Sequence, residues 1–168
     1  MRKVFLTALI VVMMSAATAL AANWLQIYTD NDENEIYFDT DSVQINSMTG
    51  NRDSVTFSAK FRMDYSDKGR QALINWYRDY SIMPAGIESL SHDISTIQFK
   101  KDGDKRYYHI SDRASYTASG YEIPNMHYTN AEPTWQEVPV ASVVDVEYNE
   151  AKLIVDGKRY KRIDAQDL

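Results

Sequence analysis

The chain of 168 residues carries 24 acidic against 18 basic side chains, a formal net charge of −6, and no cysteine. An acidic excess of this kind repels phosphate backbones and anionic lipid headgroups, which argues against nucleic-acid and membrane-surface binding. Without thiols there is neither a disulfide nor a lipid-bearing cysteine, so packing and hydrogen bonds must hold the fold.

The N-terminus reads as targeting. Arg2 and Lys3 form a basic start, and Val4 to Met14 is apolar apart from Thr7. That run is short for a bilayer span, and Ala19-Leu20-Ala21 places small residues where signal peptidase reads them. The expectation is a signal peptide over residues 1–21, export to the periplasm or cell surface, and one mature domain over 22–168 without a membrane span.

Trp24 to Tyr28 and Glu35 to Asp39 are β-prone runs joined by a polar stretch, Thr29 to Asn34, and predict a hairpin, with Val43 to Ile45 continuing the sheet. From Ser54 to Tyr65 apolar residues alternate strictly with polar ones: Val55, Phe57, Ala59, Phe61, Met63 and Tyr65 on one side, Ser54 to Asp64 on the other. A period of two over that length predicts a strand with one buried and one wet face, as in an antiparallel sheet covered on a single side. The period then changes. Leu73, Trp76, Tyr77 and Tyr80 share one face of a helix that Ser66 caps and Met83-Pro84-Ala85-Gly86 stops, and this stripe is expected to cover the sheet.

Ile94 to Lys100 and Lys105 to Ser111 predict a second hairpin around Asp102-Gly103. Residues 116–135, with Pro124 and Pro133, read as a long irregular excursion of the kind that often carries function. Pro139 and Ser142 then introduce Val140, Val143, Val144, Tyr148 and Ala151 at the spacing of a second short helix, with Asp145 as capping partner of Ser142. Leu153 to Ile163 closes the chain either as a hairpin around Asp156-Gly157 or, in its first part, as more of that helix. The expected fold class is α+β, a single antiparallel sheet of about six strands packed on one face by one or two helices.

Chemistry-bearing patterns are sparse. Asp30, Asp32, Asn34 and Asp41 match four positions of a calcium loop, but Glu35 stands where the loop needs glycine, and the flanks read as strands. His92, His109 and His127 are scattered without zinc spacing, no glycine pattern cradles a phosphate, and no nucleophile elbow surrounds a serine. The expectation is a non-enzyme with no cofactor. The positive feature is aromatic: Tyr107, Tyr108, Tyr116, Tyr121, Tyr128 and Trp135 crowd one part of the chain, and Tyr116, Tyr121, Tyr128 and Trp135 are the candidate binding residues. Packing in the core is the competing use of the same side chains.

Trp24, the run Ile36-Tyr37-Phe38-Asp39 with Asp41-Ser42-Val43, then Tyr107-Tyr108-His109-Ile110, Tyr116 with Ser119-Gly120, and Trp135 with Val138-Pro139 and Ser142 occur in an order and spacing that resembles the surface-adhesin protein E-like family of small exported bacterial proteins. The resemblance implies an antiparallel sheet packed on helices and, in some members, adhesion to host extracellular-matrix proteins. This chain departs from the family in lacking its paired cysteines and its lipobox cysteine. The resulting expectation is an exported, adhesin-like interaction module of the bacterial envelope whose partner is another protein, as monomer or dimer. The alternative is a periplasmic small-ligand or calcium-binding protein.

Overall fold

The computed structural model describes residues 22–50 and 53–157; the expected signal peptide over 1–21 and the strand from Lys158 to Ile163 lie outside them. The described residues form one antiparallel sheet of seven strands with two α-helices. The strands are β1 (Trp24–Thr29), β2 (Glu35–Met48), β3 (Ser54–Asp64), β4 (Leu90–Asp102), β5 (Lys105–Thr117), β6 (Glu122–Thr129) and β7 (Gln136–Glu137). Neighbours in sequence are neighbours in space from β1 to β6, and β7 pairs with β5 further along the same edge. Helix α1 (Asp67–Asp79) follows β3, and α2 (Val143–Val155) follows β7.

The alternation read from Ser54 onward sets the architecture. Val55, Phe57, Ala59 and Phe61 are all buried, whereas the residues between them are not. Register carries the same face into the neighbouring strands, pairing Phe38 with Phe61, Phe57 with Phe99 and Ala59 with Ile97. The rings interlock: Phe38 stacks on Phe61 at 5.2 Å, and Phe57 meets Phe99 at 5.3 Å and Tyr148 at 5.7 Å. Edge and offset contacts of this kind add to the area they bury. Truncating Phe57 to Ala should therefore cost about 3–5 kcal/mol of stability, read as a lower urea midpoint at unchanged slope.

Cover for this face comes from α2, through buried Tyr148 and Ala151 and partly buried Val144, Ile154 and Val155. Ser142 caps it by accepting from the Asp145 N–H, and the Asp145 carboxylate accepts in turn from the Ala141 N–H. The helix runs on through Leu153 to Val155 and ends at Gly157, whose positive φ of 68° is the usual helix stop. Val140, outside the helix, is exposed.

Three further expectations are corrected. The α1 stripe is not core, since Trp76 is 50% exposed and Tyr80 61%, and the helix buries only Gly69 and Ile74. It ends at Asp79, before the Met83-Pro84 stop. Residues 116–135 are not irregular throughout: they finish β5 and form β6, where Pro124 is tolerated because β6 is the edge strand. The expected second hairpin is present; its turn is Gly103 and Asp104, with Asp102 paired to Lys105, and of these only Gly103 has a positive φ.

With so little apolar burial, α1 is held by polar contacts to the β1–β2 turn. Asp30 accepts from the Asp32 and Asn34 N–H groups and from Asn34 Nδ2, which fixes the turn. Asn34 Oδ1 then accepts from the Ser66 N–H, and Ser66 Oγ donates to the Asp32 carbonyl while accepting from the Gly69 N–H. Gly69 has to be glycine, because a Cβ there would lie 1.8 Å from Asn34 Oδ1. Alanine normally favours a helix interior by about 1 kcal/mol. Gly69→Ala is nevertheless expected to destabilise by about 1–3 kcal/mol through overpacking, and a urea titration in which it stabilises would contradict the clamp.

Candidate functional site

The face that carries Phe99 and Ile97 continues along β4 to Ser95 and Asp93, where the core ends and a cleft begins. Across the ladder Ser95 pairs with Arg113, and Asp93 with Ser115. Ile110 and Arg113 are three residues apart and would fall on opposite faces of a regular strand. The register shift between Thr96 and Ile97 leaves Ser111 as the extra residue of a bulge, so that both share this face.

Asp93, only 2% exposed, sits in the floor. Its Oδ2 accepts from Tyr65 Oη at 2.8 Å, from Arg113 Nε at 2.7 Å and from Arg113 Nη2, which also donates to Tyr65 Oη. Oδ1 has no partner among the described residues. Burial raises the Tyr65 pKa and the Asp93 charge raises it further, so the phenol stays a neutral donor. Burial alone would lower the pKa of Arg113, but Asp93 and Tyr65 outweigh it and hold the guanidinium as a cation. Glu147 of α2 adds a second buried carboxyl, which desolvation pushes up to about 8 against the opposing charge of Arg113.

Above this floor lies a cleft of about 830 Å³. One wall is α1, through Leu73, Trp76 and Tyr77; the other is β6, through Met126 and Tyr128. Tyr108 and Ile110 of β5 extend the floor, and Asn130, Thr134 and Gln136 form its far end. The β6 wall is itself a bulge: Ala114 pairs with His127 and Tyr116 with Glu122, leaving residues 123–126 opposite Ser115 alone, with Asn125 at φ 64°. Tyr108 is oriented by donating to Gln136 Oε1 at 2.8 Å.

Of the four candidate binding residues only Tyr128 lines this cleft. Tyr116 lies on the reverse face, stacked on His92 at 5.3 Å. Tyr121 is 75% exposed at the β5–β6 turn, and Trp135 packs edge-on against His109 at 6.1 Å. Trp76 and Tyr77, read from sequence as core, are cleft aromatics instead. No local signal distinguishes the two uses, because helical spacing reports a face and not what it meets.

His109 and His127 also line the cleft, and these and the other candidate groups are engaged in bonds of their own. The Asp30 oxygens serve their own turn, and among the described residues no group of three or more potential metal ligands converges. His109 is buried against the Asn130 carbonyl, and His127 bridges Asp112 and Glu122 at 3.0 and 3.1 Å. His92 has its pKa lowered, first by burial and then by Arg62. Among the described residues no helix is long and apolar enough to cross a membrane. Comparison with protein-family models, with curated proteins and with solved structures finds no match to this chain.

Glu147 makes the site's electrostatics measurable. Its carboxyl has a higher pKa folded than unfolded, so the native state binds the extra proton and stability falls as pH rises between about 4.5 and about 8. Wild type should lose up to about 4 kcal/mol across that window relative to Glu147→Gln. Equal pH slopes for the two proteins in urea titrations would show that Glu147 is not a buried, desolvated carboxyl.

Proposed function

We propose that the chain is an exported, non-enzymatic interaction module of the bacterial envelope, adhesin-like in role, and that it makes its contact through the cleft between α1 and β6. In this reading both helices stand on one face of the sheet: α2 seals the core, and α1 walls the cleft. The observation that carries the reading is the exposure of Trp76 and Tyr128 on facing walls above a polar floor. Large rigid aromatics left half in water at a concave site, with a few fixed polar groups beneath, are the composition of recognition surfaces. Half of Trp76 is in solvent, and its aromatic contacts among the described residues are to its helix neighbours Tyr77 and Tyr80.

Calcium binding is less well supported, because Asp30 is committed to its turn. Small-ligand binding remains compatible with the cleft volume, which lies within the roughly 300–1,000 Å³ of known ligand sites. Surface-immobilised wild type, tested against purified extracellular-matrix proteins and against envelope fractions, should capture a partner. Trp76→Ala combined with Tyr128→Ala should weaken that capture at least about tenfold, a loss of about 1.4 kcal/mol, without lowering the melting midpoint appreciably. Undiminished capture by the double variant would remove the cleft from the reading.

A further inference from the structure

We infer that the ligand group received by the cleft is a neutral saccharide. The inference rests on the cleft being the contact surface and names the chemistry it recognises. Arg113 lines the cleft with Nε and Nη2 spent on Asp93 and Tyr65, while its Nη1 makes no hydrogen bond among the described residues. Beside it Asp93 also lines the cleft; it is more than nine-tenths buried, and its Oδ1 is covered and without a hydrogen-bond partner among the described residues. A hydroxyl gives one hydrogen bond and takes another, so it can accept from Arg113 Nη1 and donate to the polar groups that line the far end of the cleft, Asn130, Thr134 and Gln136. Sugars carry hydroxyls on adjacent carbons and C–H groups on the ring faces. Those C–H groups suit the electron-rich faces of Trp76 and Tyr128, which stand exposed above the polar floor.

The competing chemistries fit less well. An anion gains little, because the Arg113 charge is already neutralised by Asp93 and the chain as a whole is acidic. A wholly apolar ligand would leave Arg113 Nη1 and the polar groups at the far end of the cleft desolvated and unpaired. An extended peptide added as a strand needs a regular open edge: β5 in the cleft floor is paired to β4 and to β6 and β7, and the edge strand β6 is broken by its bulge and carries Pro124.

The test is a titration of the isotope-labelled protein with chitotriose, mannotriose and maltotriose, following the Trp76 indole and Arg113 Nε–H resonances by NMR. A sulfated disaccharide serves as the anionic comparison. At least one neutral trisaccharide should shift both resonances with a Kd of about 1 mM or tighter. Trp76→Ala should weaken it about tenfold, and Tyr121→Ala, exposed but outside the cleft, should leave it unchanged. No shift with any of the three, or tighter binding of the sulfated sugar, overturns the inference. A matrix or envelope protein that is captured equally well after complete enzymatic removal of its glycans would also overturn it, while leaving the interaction-module reading standing. Failure of wild type to capture any partner, with or without glycans, would remove both.

Discussion

A carboxylate buried on what is otherwise the apolar face of the sheet is the constraint from which the site follows. Phe57, Phe61, Ile97 and Phe99 form a continuous surface that α2 covers, but two steps beyond Ile97 along β4 the face turns to Ser95 and then Asp93. A lone buried carboxylate is costly, so the structure brings Arg113 and Tyr65 to it from two other segments. Those polar groups cannot lie beneath an aliphatic helix face without loss. The core therefore ends there, and the space above them remains a cleft.

The position of the cleft wall depends on a different set of bonds. Helix α1 buries too little apolar surface to be fixed by packing, and its placement follows from Asn34 and Ser66 joining the β1–β2 turn to its first residues. A helix anchored at one end by hydrogen bonds can hold Trp76 and Tyr77 over the sheet without burying them. The rigid core and the exposed aromatic wall thus draw on separate interactions, which is why changes at the wall need not unfold the protein.

Features set by local chemistry were legible in the sequence: the alternation of β3, the caps at Ser66 and Ser142 and the glycine turn at 103, whereas Asp156-Gly157 fitted a hairpin turn as well as the helix stop it is. Two local cues misled. The α1 spacing identified an amphipathic helix correctly but could not say whether its face meets protein or solvent, and the partner that covers the core, α2, lies some seventy residues further along the chain. Strand β6 was hidden because its bulge interrupts the alternation and places Pro124 and Asn125 within it. The floor was not legible, since Tyr65, Asp93 and Arg113 belong to three segments and Arg113 reaches the cleft face only through the bulge at Ser111. The resemblance to the adhesin family rests on short ordered motifs, and its functional content belongs to the proposal alone.

A double-mutant cycle on Asp93 and Arg113 tests the central claim most directly. If the two depend on one another, Arg113→Gln, which strands the buried Asp93 carboxylate, should cost about 3–5 kcal/mol in urea unfolding, Asp93→Asn less, about 1–3 kcal/mol, because the Arg113 side chain is 40% exposed, and the two together clearly less than their sum, with a coupling of about 1 kcal/mol or more. Costs that add to within about 0.5 kcal/mol would mean that the two side chains do not depend on one another, and that the cleft does not owe its origin to a buried ion pair.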